Sequence, residues 1–547
     1  MFIKITKSKD FKYVQIVNSY RSNGKVKHEL LCNLGRLDHL QGNPEWKKIA
    51  INFAKLLGVK DINYDEQNCS EANIVNWGYI IYKKIWNKFK LEQTLDHIQN
   101  QNKKIKFDLN NAVFLMVIQH LLSPASKLQT FNKQQNYVNF PKIDLNHLYR
   151  ALDILNDQQD FIQKHIFYMN RKLFGLQVDV VFYDVTTFHF ESVKKDSLRN
   201  FGFSKNNKFN EVQVVYSMYI DRNGRPIGYE LFPGNTFEGK TLEIALESIE
   251  KKFGIRNIII VADRGINSKL NLKKIVDKKY GYIFASKIKS MSKNIQKQIL
   301  TKEDYIEFSN SNDSEGKYCY KVIDYINKVK EDEEEIDLLE KLIVTYSSKR
   351  AKKDRADRQR LLDKANFLLQ NKSLIKGSTK RGGKKYLKET SNPDWILDNN
   401  LIVKDEQFDG YYGVQTNLTG DLSVEEILSS YHNLWRIEEN FKIMKSFLEV
   451  RPIFHWTEDR IKGHFVVCFL SFVLEKTLEL KLKDANIDDV SVDNIREAIN
   501  SMRFAEVELN NKKMFIKSSN TELANKILRN LKIPPPANIT STENLTI

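Results

Sequence analysis

The chain has 547 residues, 41% of them hydrophobic and 11% aromatic, which allows roughly three or four domains with real cores and excludes a disordered polymer. A net charge of +17 favours a polyanionic partner, nucleic acid before an anionic membrane surface. The longest apolar runs, such as residues 465–474, fall well short of the ~20 residues a spanning helix needs, and the opening MFIKITKSKD has no apolar signal core.

Residues 1–60 read as a β-rich segment. Val14 to Val17 and Val26 to Leu31 flank a turn at Ser22-Asn23-Gly24, the pattern of a hairpin. Residues 70–175 read as helical, with apolar periodicity over 111–122 and 145–155 and punctuation at Pro124 and Pro141. This helical region is a candidate for reading DNA ends, although it shows no clear helix-turn-helix signature.

The character changes over 177–286. An apolar, β-branched strand from Val178 ends at Asp184. Strands over 212–220 and 226–232 are joined by Asp221-Arg222-Asn223-Gly224, and Asn-Gly is a strong hairpin signal. An amphipathic helix over 240–253 stops at Gly254. Ile258 to Ala262 is a continuous apolar run, as expected of a strand buried on both faces, and it ends at Asp263. A helix over 268–279 and a strand over 282–285 follow. The order β-β-β-α-β-α-β is that of an α/β, ribonuclease-H-like core that lacks only its final helix.

Residues 287–420 interrupt this core as a β-rich insertion domain with a basic helix. Between Tyr346 and Lys388 there are 15 Lys or Arg against 3 Asp and no Glu, so 12 of the 17 net positive charges lie here. Lys352, Lys353, Arg355, Arg358 and Arg360 would line a helix, and Lys380, Arg381, Lys384 and Lys385 a flexible basic loop. Both are candidate contacts to DNA phosphates. The core resumes over 421–475 with its last helix at 424–448 and a following helix. Residues 476–547 read as C-terminal helices and a disordered tail from Pro534 onward.

Strand ends are where side chains leave a sheet toward a crevice, so Asp184 and Asp263 are candidate ligand-binding carboxylates. At 100° per residue, Leu434, Ile437, Phe441, Met444 and Leu448 fall within about 80° of arc as a core stripe. Tyr431, Glu438 and Lys445 form a second strip beside it, which places Glu438 next to the buried face. Three carboxylates suit hard divalent ions such as Mg²⁺ or Mn²⁺, and two such ions can assist in-line phosphoryl displacement. Cys32, Cys69, Cys319 and Cys468 lack any CxxC spacing, which argues against a zinc site or disulfide framework and fits a reducing cytoplasm.

The stretch YHNLWRIEENFKIMKSFLEVRP resembles the Tyr-x2-Arg-x3-Glu-x6-Lys signature of DDE transposases of bacterial insertion sequences. Tyr431, Glu438 and Lys445 match it, while Leu434 stands where the signature has arginine. VVFYDVTTFHFES is similar to the family's first-aspartate strand and IIIVADRGINS to its second. The resemblance implies a catalytic triad of Asp184, Asp263 and Glu438 holding two divalent ions, with Tyr431 and Lys445 in support. It also implies terminal inverted repeats and target DNA as double-stranded DNA partners, and a homodimer in a paired-end complex. The competing expectations are a nuclease of the same core without strand transfer and a DNA-binding protein with a dead site.

Overall fold

The computed structural model describes residues 2–50 apart from 9, 10, 23, 24, 44 and 47; residue 56; and 73–545 apart from 177, 203–209, 309–317, 332–333, 379–381, 391–393, 419, 421, 488–489, 510–511 and 542–544. Strands β1 (Phe2–Ser8), β2 (Phe11–Ser22) and β3 (Lys25–Arg36) form an antiparallel sheet, and the last rung of β2 and β3, Ser22 opposite Lys25, closes the hairpin expected there. The turn residues Asn23 and Gly24 lie outside the described residues.

The centre of the fold is one nine-stranded sheet. After β4 (Asn73–Asn76), the strands β5 (Val180–His189), β6 (Gln213–Ile220) and β7 (Pro226–Pro233) form an antiparallel meander. The turn between β6 and β7 is held by the buried Asp221, which accepts from the backbone N–H of Asn223 at 2.9 Å and of Arg225 at 2.7 Å. Gly224 there has φ +81°, where a side chain would be strained. Strand β8 (Ile259–Ala262) then pairs parallel to β5, and β9 (Gly281–Ala285) parallel to β8. Helices Glu238–Phe253 and Lys269–Asp277 make the crossovers. In space the five strands run β7-β6-β5-β8-β9, which with this connectivity is the ribonuclease-H-like core.

The insertion does not stand apart as a separate domain. Its strands β10 (Ile306–Glu307), β11 (Tyr318–Glu331) and β12 (Glu334–Ser347) reach β9 through β15 (Tyr411–Thr416), so they continue the same sheet. Between β12 and β15 lie the basic helix Ser348–Gln370, the pair β13 (Leu387–Glu389) and β14 (Trp395–Leu397), and the helix Asn399–Glu406. These elements share a small core of their own around Ala365, Leu368 and Tyr386.

Helices Glu238–Phe253 and Lys269–Asp277 cover one face of the central sheet. The other face carries a much larger core. It unites the sheet with helix Leu109–Leu122, helix Leu145–Asp157, the segment 424–448 and the long helix Glu458–Asp484. Helix Leu109–Leu122 is buried along its whole length except at Asn111, so it cannot enter a DNA groove. That helix is part of the core that backs the sheet.

The C-terminal region also differs from expectation. Beyond the helix Val492–Ser501, β16 (Arg503–Leu509) and β17 (Lys512–Lys517) pair, and β18 (Ile539–Ser541) adds to β17. β16 in turn pairs with β4, tying the segment around 505 to Asn73–Asn76. The triple proline is held rather than loose: Lys517 Nζ donates to the Pro536 carbonyl at 2.8 Å. Among the described residues no helix is long and apolar enough to cross a membrane.

Candidate active site

Parallel pairing of β5 with β8 ends at Phe182 opposite Val261. Asp184 stands two residues beyond Phe182 on β5, and Asp263 two residues beyond Val261, just past the end of β8. Alternation along β5 puts Asp184 on the face of Phe182, which is the face of the large core. Asp263 lies just past the end of β8 and is exposed, as expected. Asp184 is half-buried and does not end its strand. β5 continues to His189, because Val185-Thr186-Thr187-Phe188 is as β-forming as the residues before it, and β6 pairs with it throughout. The parallel pairing of β5 with β8 stops at Phe182, two residues before Asp184. Its Oδ1 accepts from the N–H of Val185 at 2.7 Å.

The segment 424–448 is not the single helix expected. A capping box of Ser423 and Glu426 starts helix Val424–His432. At Asn433 and Leu434 the chain tightens into i→i+3 bonds, Leu434 N to Tyr431 O at 3.0 Å and Ile437 N to Leu434 O at 3.1 Å. Helix Trp435–Lys442 follows and passes into a π-helical turn, Ile443–Phe447, with Leu448 N bonded to Ile443 O at 2.9 Å. Overwinding at 433–437 and underwinding at 443–448 offset one another. The stripe of Leu434, Ile437, Phe441, Met444 and Leu448 therefore stays buried as a unit, as read from its spacing.

Helix Val424–His432 packs on β8 and β9, and helix Trp435–Lys442 packs on β5, which carries Asp184. Glu438 is exposed on that second helix. The helix is pinned from below by the buried Asn440, whose side-chain amide donates to the Gly224 carbonyl at 3.0 Å. Lys445 lies in the π turn with its Nζ 5.8 Å from the ring centre of Phe188, on the same face of β5 as Asp184. Carboxylates such as Asp184, Asp263 and Glu438 are hard oxygen donors, the kind that divalent ions of the Mg²⁺ class prefer, although among the described residues these three are not brought as close together as a shared ion would require.

Tyr431 is hydrogen-bonded, hydroxyl to hydroxyl, with Tyr412 of β15. Burial, then Tyr412 and the charge of Asp263, push the Tyr431 hydroxyl above the ordinary tyrosine range, while Arg264 opposes them. The end of β8 therefore lies within electrostatic reach of this pair. Arg350 stacks its guanidinium 4.4 Å from the centre of the Tyr412 ring. Arg264 and Arg350 are cations that the sequence reading did not single out. Arg264 follows Asp263 directly, and Arg350 opens the basic stretch, so position was the available signal. Leu434, where arginine was expected, is a core residue at 8% exposure. Arg436 lies over Trp435 and bonds Asn433, so it does not take that place.

The basic stretch divides into two kinds of residue. Lys352, Lys353, Arg355 and Arg360 are exposed along helix Ser348–Gln370, and Arg360 pairs with Asp357. Arg358 is buried and paired with Asp409 and Glu406, so it is a structural ion and not a DNA contact. Lys384 and Lys385 do not belong to a flexible loop. They sit in a 3₁₀ turn, Gly383–Tyr386, packed on the basic helix, with Lys385 bonded to Asp405 and Lys384 4.9 Å from the ring centre of Trp395. Lys380 and Arg381 lie outside the described residues.

A family model described as the transposase DDE domain matches residues 177–474, more than half of the chain. The chain belongs to the DDE transposases. A second model, the N-terminal domain of IS1634 family transposases, matches residues 3–55, which makes this a bacterial insertion-sequence DDE transposase. It is accordingly a DNA transposase, a DNA-cleaving and transferring enzyme that depends on divalent metal ions. No curated protein sequence matches it. Among solved structures, it is similar to a piggyBac transposase synaptic complex with hairpin DNA, at 9% identity and TM-score 0.35 over 79% of this chain and 82% of that one. It is also similar to a Mos1 transposase paired-end complex with left transposon end, at 13% identity and TM-score 0.15 over 31% of this chain and 57% of that one. Superpositions this loose carry no argument for the transposase. Its own strand order and family match do.

Proposed function

We propose that this transposase cuts the ends of its own insertion sequence and joins the freed 3′-hydroxyl to target DNA, with Asp184, Asp263 and Glu438 holding two divalent ions, Mg²⁺ or Mn²⁺. The observation that supports the reading is that β5, which bears Asp184, pairs parallel with β8, past whose end Asp263 lies, and packs against the helix that bears Glu438. Ions so held activate the attacking oxygen and stabilise the leaving oxygen of an in-line displacement.

The chain's own residues supply position and charge. β5 and β8 fix two carboxylates in the sheet, and Asn440 fixes the helix of the third. Lys445, on the face of Asp184, neutralises a substrate phosphate. Arg264 and Arg350, gathered at the Tyr412–Tyr431 pair, provide the cationic contact that Leu434 cannot. Lys352, Lys353, Arg355 and Arg360 grip the duplex along a helix of 23 residues, about 34 Å, whose first turn starts at that pair. The substrates are terminal inverted repeats and target DNA, brought together by two copies of the chain in a paired-end complex.

The test is cleavage of a DNA carrying the element's ends, with Mg²⁺ or Mn²⁺, by wild type and by Glu438→Gln. Cleavage at the end boundary, lost in the variant while binding persists, is the expected result. Binding without cleavage by the wild type would identify a DNA-binding protein with a dead site. Cleavage without joining would identify a nuclease.

A further inference from the structure

A second cluster of ligating side chains lies where the chain leaves the π turn, and the three carboxylates have no part in it. His120 of helix Leu109–Leu122, and His464 and Cys468 one turn apart on helix Glu458–Asp484, each present a ligand atom within 4.8 Å of the other two, and all three residues are buried. The buried His455, in the connection before the long helix, stands beside them. The ring centres of His120 and His464 are 5.2 Å apart, and those of His455 and His464 are 5.4 Å apart. Two imidazoles on one tetrahedral zinc ion, with nitrogens about 2.0–2.1 Å from the metal, would have ring centres about 5 Å apart.

Two details of hydrogen bonding point the same way. Nδ1 of the fully buried His464 has no hydrogen-bond partner, while its Nε2 lies 3.1 Å from the Val450 carbonyl and 3.5 Å from Cys468 Sγ. His120 Nδ1 lies 3.2 Å from the Leu448 carbonyl. A histidine whose one nitrogen is held by a backbone carbonyl offers the other to a metal, and this is the usual outer support of metal-binding imidazoles. Lys127 Nζ sits 3.4 Å from His120 Nε2. It must turn aside for an ion to enter, and it lines a cavity of about 160 Å³, together with Glu449 and His455, that gives it room.

We propose that His120, His464 and Cys468 form a zinc site. Two nitrogen donors and one sulfur donor suit zinc, in contrast to the oxygen donors of the carboxylate site. On binding, the Cys468 thiol gives up its proton to solvent and its sulfur bonds the ion as thiolate. Through His120 and His464 the ion would brace the Leu448 and Val450 carbonyls, and so the end of the segment that bears Glu438 and Lys445.

The test uses the full chain, purified from zinc-supplemented cells, dialysed against metal-free buffer and assayed for metal. It is then reconstituted with Co²⁺ for absorption spectroscopy. The expected results are about one zinc retained per chain, intense tetrahedral d–d absorption in the Co²⁺ form, and a thiolate charge-transfer band that Cys468→Ser abolishes. The carboxylate site holds no sulfur and cannot give that band. A wild-type chain that retains no zinc, or whose Co²⁺ form lacks the thiolate band, would overturn the proposal without recourse to any variant. A band that survives Cys468→Ser would overturn it as well.

Discussion

The hydroxyls of Tyr412 and Tyr431 are hydrogen-bonded to each other, so a strand of the insertion is tied to the helix that leads to Glu438. Each single Phe substitution strands a mostly buried hydroxyl, at a cost of about 1–3 kcal/mol, while the double substitution removes both partners together. We expect Tyr412→Phe and Tyr431→Phe to lower stability by about that much each. The double variant should lose less than their sum, by about 1 kcal/mol. Denaturant unfolding of the four proteins measures this, and additive losses would mean that the two rings do not share the bond.

Along the basic helix the prediction is a division of labour. Replacing Lys352, Lys353 and Arg355 together by Gln should flatten the dependence of log Kd on log salt by about 2–3, since each phosphate contact contributes about 0.9. Arg358→Gln should leave that slope unchanged and destabilise the fold by about 3 kcal/mol, because it leaves the buried carboxylate of Asp409 uncompensated. Salt titrations of DNA binding and thermal melts separate the two effects. A slope unchanged by the triple substitution would remove this helix from the DNA interface.

Asn440 connects the Glu438 helix to the β6–β7 turn through the Gly224 carbonyl. Asn440→Ala should cost about 1–3 kcal/mol of stability and, by loosening the position of Glu438, lower the cleavage rate more than the affinity for DNA. Single-turnover cleavage beside a binding isotherm distinguishes this from a general loss of folded protein, which would lower both together.

Glu475 is fully buried in the long helix, where Tyr82 donates to its Oε2 at 2.5 Å. Burial first, and then Glu479, raise its carboxyl to about 8, against the opposing pulls of Tyr82, Arg496 and Lys476. The folded state thus holds a proton that the unfolded state releases near 4.5. Stability from this group is complete below that value and is lost as pH rises toward about 8. Glu475→Gln should therefore raise the melting temperature more at pH 8 than at pH 5. An equal effect at the two pH values would show that Glu475 is charged throughout.

Gly463 lets the long helix lie directly on helix Leu145–Asp157. A Cβ there would meet the Leu152 carbonyl oxygen at 2.1 Å, and backbone cannot step aside as a side chain can. Gly463→Ala should cost about 1–3 kcal/mol, and an unchanged melt would show that the two helices separate easily.

Much of this architecture is written in local pattern. Ile258 to Ala262 reads as a buried strand because all its side chains are apolar, and Asp263 stands out as the first that is not. The stripe from Leu434 to Leu448 is equally plain. Its spacing cannot reveal that a tight turn and a π turn share it, because their opposite phase errors cancel over the full span. Asp184 was misjudged as a terminus because the acid itself interrupts a run that resumes at Val185. The fate of Arg358 was invisible, since Asp409 and Glu406 lie some fifty positions away in the chain. The cluster around His464 escaped for a related reason. Its donors come from two helices more than 300 positions apart, and a search for paired cysteines passes over them.

One consequence of the continuous sheet is mechanical. The helix proposed to grip DNA hangs from the same hydrogen-bonded lattice that seats Asp184, with no linker between them. Grip and blade are thus joined through one sheet, and bending, fraying or twisting of the nucleic acid helps to seat a phosphodiester at the carboxylates. Sequences that deform easily next to the cut should be processed faster than stiff ones, even where no side chain reads their bases.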